Sequence, residues 1–526
     1  MVRLPIVQFL IGLALTTPVL GFDYQPSSSS SIPLDIGNII KDIRELSRPS
    51  YQGRQAGTDG SLQSADYLVD RFRSLGLQPA NHLSKHEQDF HWLQQRFMTA
   101  IQLLEPSTIT LSLIGANQTS MTMSLVPGQA FLPILDSPST RTTARVVFVG
   151  YGIVDPARGI DEYQGMNVDN RIVLFLRGKP PSYTGWITHE EKAAIAKERG
   201  AVGYLTVTGP LLGRYEARKG LGQGPLAIYG DTLENRPIPG AWIHGKLLDQ
   251  ALNAANDSLE ALQQAANDIG TFRSRPLPLL VQFHWEIRSQ PGTLTNVIAM
   301  LPGRDQELRK ELILIGAHRD HFGQQAGLLF PGADDNASGT SVMLELTRML
   351  SQSATSPKRT VLFVSFDGEE RGLLGSKHYV SHPAFPLDRT VAMINLDHLG
   401  AGDGKLTVGI TRMDKMLAQQ AADRAGLDDN IQMYGYFPGG DHVPFFEAGV
   451  PTVTVVSSGR HPHFHQPSDT LESIQPENLS IATKFLFSLI TLLADKPQGA
   501  CHPQVTPKDL CPGRWYREFA SFEEML

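Results

Sequence analysis

The chain has 526 residues, enough to bury a large core and, at ordinary domain sizes, to form two domains. Charged residues make up 19% and hydrophobic residues 41%, the balance of a globular chain rather than a disordered one. A net charge of -7 is mild at this length and gives no reason to expect nucleic acid or an anionic membrane as partner.

The N-terminus reads as an export signal over residues 1–21, which predicts a secreted or periplasmic protein. Arg3 is the lone charge, Leu4 to Leu20 is mostly apolar, and Val19-Leu20-Gly21 is a cleavage-type triplet. The run is short and contains Pro5 and Pro18, which argues against a permanent anchor. No later stretch reads as long and apolar enough to cross a bilayer. Residues 22–35 are Ser-rich without periodicity and predict a flexible leader. From Ser61 to Leu75, apolar residues fall on one helical face and Gly76 follows as a stop.

Between residues 131 and 272 the texture becomes β-rich. Short runs at Arg145 to Tyr151, Arg171 to Leu176 and Val202 to Val207 surround a helix at Glu190 to Gly200. This reads as an inserted unit within a domain made of residues 36–130 and 273–496. After the insert the pattern is α/β. Apolar strands at 312–317, 360–366, 391–396 and 452–456 alternate with helices at 338–350, 373–381, 413–425 and 476–494. The fold class expected is α/β, with a mixed, mostly parallel sheet between helical layers. Residues 497–526 form a tail with both cysteines, Cys501 and Cys511, which could close one short disulfide loop or remain free thiols.

Five segments carry metal-ligand chemistry, each after an apolar run or a turn: GAHRDHFG from Gly316, GADDNASG from Gly332, FDGEERGLLGS from Phe366, INLDHLG from Ile394 and HFHQPSDT from His463. In sheets of this kind, sites form at the carboxyl ends of strands. His318 and Asp320 lie two apart, on one face of a strand end. Asp335 suits a carboxylate that bridges two cations, whereas Asp334 also fits a polar turn before a helix capped by Ser338 or Asp335. Glu369 and Glu370 are adjacent, so one can face a metal and the other an activated water. Asp397 ends an apolar strand, and His465 lies in a loop that also offers His461 and His463. The ligand types suit two Zn²⁺ ions, with Mn²⁺ or Co²⁺ possible.

These segments resemble the M28 family of co-catalytic zinc peptidases, best known for aminopeptidases, across most of residues 50–490 and including TNVIAMLPG from Thr295. The insert resembles a protease-associated domain, from GYGIVD at Gly150 through RIVLFLRG at Arg171 to KAAIAKERGAVGYL at Lys192. The resemblance implies that His318 and Asp397 bind one zinc, Glu370 and His465 the other, and Asp335 both. Glu369 would be the general base and acid for hydroxide delivered between the ions, and Asp320 would orient His318. It also implies a non-proline cis peptide at Asp335–Asn336. The expected activity is removal of N-terminal residues from peptides. Carboxypeptidase or dipeptidase action is the alternative, with Arg319, Arg371 and Arg460 as candidates for a substrate carboxylate; a non-catalytic binding protein with a degenerate site is a further one. Three departures from the family pattern stand out: Phe464 for a frequent tyrosine, Arg319 for a frequent aromatic and His398 for a frequent methionine. Asp441 and His442, in PGGDHVPF, fall in the region of the family's substrate pocket, and His442 is either a pocket or a packing residue. Asn336-Ala337-Ser338 is a sequon inside the metal loop and should carry no glycan.

Overall fold

The computed structural model describes residues 32–80, 92–114, 119–213, 217, 220, 222–230 and 238–496. The expected signal, nearly all of the leader and the cysteine-bearing tail lie outside these residues. The chain builds two large sheets. The first has nine strands. Its order is 78–79, 287–301, 360–366, 312–318, 390–397, 452–457, 406–411 and 431–434, with 93–103 pairing on 287–301. Its centre is parallel: 360–366, 312–318, 390–397 and 452–457 run side by side in one direction. The flanking strands 287–301 and 406–411 pair antiparallel to this block.

The central strands are apolar on both faces because both faces are covered. Ile313, Ile315, Phe363, Ile394, Val453 and Val455 face one layer, packing with Leu68, Phe72, Leu346, Leu486 and Leu489 from the helices at 59–74, 339–351 and 476–495. The alternate residues Leu314, Leu362, Val364 and Met393 face the other layer, with Tyr379 and Phe445 from the helices at 374–381 and 442–447. This period-two division is what a twice-buried strand requires.

The helix Pro476–Asp495 is 20 residues long and apolar enough to span a bilayer, which corrects the reading that no later stretch would reach that threshold. Leu479, Phe485, Leu486, Leu489, Ile490 and Leu493 are fully buried against the first sheet, so packing accounts for its composition.

The second sheet has eight strands: 119–125, 108–114, 275–285, 140–148, 172–176, 203–207, 240–243 and 131–133. It reaches beyond the predicted 131–272 unit at both ends. The strands 108–114 and 275–285 pair with each other, and 275–285 also pairs with 140–148. They alternate more and less buried positions, as in Arg275–Trp285, a pattern that does not say which sheet they join. The helix His189–Glu198 opens on a capping box, with Thr188 and Glu191 each bonding the other's backbone N–H.

The two cores meet around the hairpin of strands 323–325 and 328–330, which follows the central 312–318 strand directly. Phe322, Ala326 and Phe330 pack into the core of the second sheet, although they lie within the peptidase-type half of the sequence.

Candidate metal centre

The carboxyl ends of the parallel strands converge as strand-end chemistry predicts. His318 is the last residue of 312–318 and Asp397 the last of 390–397, on adjacent strands. His318 Nε2 lies 3.3 Å from Asp397 Oδ1 and 3.4 Å from Asp335 Oδ1. On the other side of Asp335, His465 Nε2 lies 3.2 Å from Oδ2 and 3.6 Å from Glu370 Oε2. One carboxylate thus presents an oxygen to each of two His–carboxylate pairs. All five predicted ligands are brought together.

Two further carboxylates hold the ligand loops by their backbones. Asp469 accepts the N–H groups of Asp334 and Asp335 at 2.8 and 3.0 Å. Asp320 accepts the N–H groups of Glu369 and Glu370 at 3.1 and 3.4 Å. His318 Nδ1 is 3.2 Å from the Asp320 backbone carbonyl and 3.7 Å from its carboxylate, so Asp320 stands beside His318 while its carboxylate also holds the Glu369–Glu370 turn.

The loop at 332–338 is locally built. Gly332 has φ +60°, and a Cβ there would lie 2.3 Å from the Asp335 carbonyl oxygen; only glycine fits. The Asp335–Asn336 peptide is cis. Asn336 is fully buried, donates to the Leu396 carbonyl and accepts from Gly339 N–H, so it, rather than Ser338 or Asp335, caps the following helix. Ser338 donates to the Asp334 carbonyl.

Three histidines complete the surroundings. His321 is buried, with Nδ1 2.7 Å from Glu370 Oε1 and with Nε2 lacking a partner. Its spacing from His318 was visible in GAHRDHFG, but nothing in the sequence distinguished it from a turn residue. His398 Nε2 lies 3.5 Å from Asp335 Oδ2 and 3.8 Å from Asp397 Oδ1. His461 Nδ1 lies 2.7 Å from Asp334 Oδ2, whose partner oxygen Oδ1 accepts the Gly400 and Ala401 N–H groups. Asp334 is therefore a braced turn residue. His463 is 2.9 Å from the Ser468 hydroxyl.

The remaining candidates separate by position. Arg319 is fully buried against Asp367, Ser61 and Ser64, far from any role with substrate. Phe464 stacks on His465 with ring centroids 3.7 Å apart. His442 is buried, with Nε2 2.7 Å from the Phe437 carbonyl, which makes it a packing residue under the cavity wall.

Electrostatically the cluster is crowded with acid. Burial pushes the Glu369 carboxyl well above its ordinary range, His318 opposes this, and Asp441 and Asp397 add to it. Burial raises Glu370 likewise, reinforced by Asp335 and Glu369. Burial disfavours a charged His318, but Glu369, Asp397 and Asp335 outweigh it and hold that imidazole up. Burial lowers His321 and His465, leaving neutral rings with a lone pair to give. Buried carboxylates this close together call for cations. Neutral imidazole nitrogens beside carboxylate oxygens are the donor set of zinc. Ligand atoms of His318, Asp335 and Asp397 lie within 4.8 Å of one another, as do those of His321, Asp335 and Glu370. The residues present fit the metal.

The cluster opens on a cavity of about 380 Å³ walled by Glu369, Arg371, Phe437, Gly440 and Phe464 from the first-sheet half, with Glu190 and Tyr229 from the second. The second half also touches a predicted ligand directly. His465 Nδ1 lies 2.9 Å from the Ala227 carbonyl, and Ala227 N–H donates to the His465 carbonyl at 3.0 Å. Phe322 presses edge-on against the same imidazole, with centroids 4.6 Å apart.

Residues 296–490 match the sequence profile of Peptidase family M28. An aminopeptidase of Bacillus subtilis strain 168 (YwaD) is 35% identical over 33% of this chain and 39% of its own length. A probable glutamate carboxypeptidase of Arabidopsis thaliana is 24% identical over 82% of this chain and 63% of its own. The chain thus spans less than two thirds of either relative. Among solved structures, an aminopeptidase from Aneurinibacillus sp. strain AM-1 superposes with TM-score 0.61 at 21% identity, covering 90% of this chain and 97% of that one. A zinc aminopeptidase from Bacillus subtilis superposes with TM-score 0.58 at 21% identity, covering 89% and 98%. At these identities the two structures share the fold.

Proposed function

We propose that this chain, whose residues 296–490 belong to peptidase family M28, is an exported zinc aminopeptidase that hydrolyses the first bond of a peptide. The observation that carries the reading is Asp335, with Oδ1 toward His318 and Oδ2 toward His465. That arrangement suits two zinc ions, one held by His318 and Asp397, the other by Glu370 and His465, with Asp335 common to both. When bound, the ions supply Lewis acidity that polarises the scissile carbonyl and acidifies a water molecule.

The chain's own residues do the rest. Glu369 stands at the cavity wall beside the ligands with an acid strength weakened by burial. It takes the proton of the attacking water and returns it to the departing amine. Asp320 holds the Glu369 and Glu370 amides, so the base and its neighbouring ligand share one anchor. His321 aims Glu370 through its other carboxylate oxygen. Phe464 lends a flat apolar wall where a hydroxyl would otherwise assist the oxyanion. Residues 1–21 direct export, and the unit containing 131–272, of protease-associated type, walls the entrance.

The test is metal content together with end preference. The reading expects two zinc ions per chain by elemental analysis and release of the chromophore from leucine p-nitroanilide. N-acetylation of the substrate should abolish turnover. Cleavage of blocked peptides from the C-terminal side would replace it with the carboxypeptidase reading.

A further inference from the structure

Glu370 is followed by a residue whose chemistry the hydrolysis does not use. Arg371 walls the cavity and is only 8% exposed. It is the sole arginine or lysine among the described residues that line the cavity. Its guanidinium carbon lies 4.4 Å from the centroid of the Tyr229 ring, and its Nη1 is buried without a hydrogen-bond partner. No carboxylate of the described residues forms an ion pair with it, whereas buried Arg319 meets Asp367, buried Arg359 meets Glu311 and buried Arg54 spends its guanidinium on four backbone carbonyls.

A buried guanidinium with an unused N–H is costly unless something meets it. Stacking on Tyr229 fixes the plane of the fork but satisfies none of its donors. A carboxylate is the natural complement, because its two oxygens match the fork in geometry and charge. The location limits which carboxylate. Neighbouring Cα atoms stand about 3.8 Å apart, so Arg371 sits within one side-chain length of a substrate bond held at the ligands. An acid group one or two residues beyond that bond comes within reach.

We propose that Arg371, braced by Tyr229, is a specificity residue that binds a substrate carboxylate just beyond the scissile bond, so that the site favours di- and tripeptides or peptides acidic at that position. This rests on the aminopeptidase reading and narrows its substrate class.

The experiment compares wild type, Arg371→Gln and Arg371→Lys on leucine p-nitroanilide, Leu-Gly, Leu-Gly amide, Leu-Glu amide and Leu-Gln amide. The first pair of peptides isolates the C-terminal carboxylate and the second an acidic side chain. Wild type should prefer the acid member of at least one pair. Arg371→Gln should erase that preference by about 10- to 100-fold in kcat/KM, through KM, and change the uncharged substrates by less than about 3-fold. Arg371→Lys should recover part of the loss. A second readout is calorimetric titration with the reduced-bond analogue of Leu-Gly as acid and as amide, where only the acid should lose affinity in Arg371→Gln. Equal losses on charged and uncharged substrates, or a wild type indifferent to the carboxylate, would overturn the proposal and leave the aminopeptidase reading standing. No release from any free-amine substrate would defeat both.

Discussion

Ala227 and His465 exchange two hydrogen bonds across the boundary between the two sheets, the imidazole Nδ1 facing the Ala227 carbonyl and the Ala227 N–H meeting the His465 carbonyl. Nδ1–H is thereby engaged and Nε2 is left to face Asp335 and Glu370. His465 holds φ +55°, a left-handed backbone uncommon for a residue with a side chain. A segment without a single predicted ligand therefore sets the tautomer and pose of one.

The first prediction follows. Ala227→Pro removes the N–H that meets His465. Zinc at the His465–Glu370 position should be released at lower chelator concentration than zinc at the His318–Asp397 position. A tenfold or larger rise in KD for one of two ions, read by competition with a chromophoric chelator, is expected. Unchanged affinity for both ions would show that the exchange is incidental.

Glu369→Gln should keep the fold and bind both ions, because the side chain is not among the ligands. Turnover of leucine p-nitroanilide should fall by about 100-fold or more as the proton relay is lost. Near-wild-type rates in the variant would remove Glu369 from the mechanism.

Arg54 is fully buried and uses its guanidinium on four backbone carbonyls: Arg319, Leu46, Pro331 and Gly332. Burial lowers its pKa to about 10, still well above neutrality. It fastens the 46–54 segment to the strand end after His318 and to the loop before Asp335. Arg54→Met takes the donor from the Arg319, Leu46 and Pro331 carbonyls, Gly332 keeping the Ala337 N–H, and a loss of about 3 kcal/mol or more in unfolding free energy is expected from denaturant titration. Metal affinity should fall with it.

Glu162 gives a pH signature to the second sheet. It is 3% exposed, and burial raises its pKa from 4.5 to about 7, against the opposing Ile153 N–H and Lys192. The folded state therefore holds a proton that the unfolded state has released. Its contribution to stability is complete below pH 4.5 and is lost as pH rises through 7. Glu162→Gln should raise Tm at pH 8 relative to wild type and make little difference at pH 4.5. An equal shift at both values would contradict the assignment.

Much of this was readable before any coordinates. The strands at 312–317, 360–366, 391–396 and 452–456 announced themselves because both faces are buried and most positions are apolar, with only small or polar Thr360, Ser365, Asn395, Thr452 and Thr454 among them. The five ligand segments sat at their ends. What escaped depended on contacts between distant segments. The strands 108–114 and 275–285 have half-exposed faces, so the text of the chain could not say which sheet they join. Asp320 was read as partner to His318 because they are two residues apart, and its hold on the Glu369 amide, 49 positions away, left no local signal. His321 was hidden by its neighbours: a second histidine three residues after the first in one short turn carries no distinguishing local signal. Arg319, Arg371 and Arg460 looked equivalent in the sequence, and only packing showed that Arg319 is sealed in the core while Arg371 borders the cavity.

Asp469 and Asp320 each grip a pair of consecutive amides, and each pair carries a ligand. The grip acts on the main chain and depends on no cation. Stripping the ions should thus leave a scaffold already shaped to receive them: dialysis against chelator followed by zinc should restore activity at once, with no refolding delay.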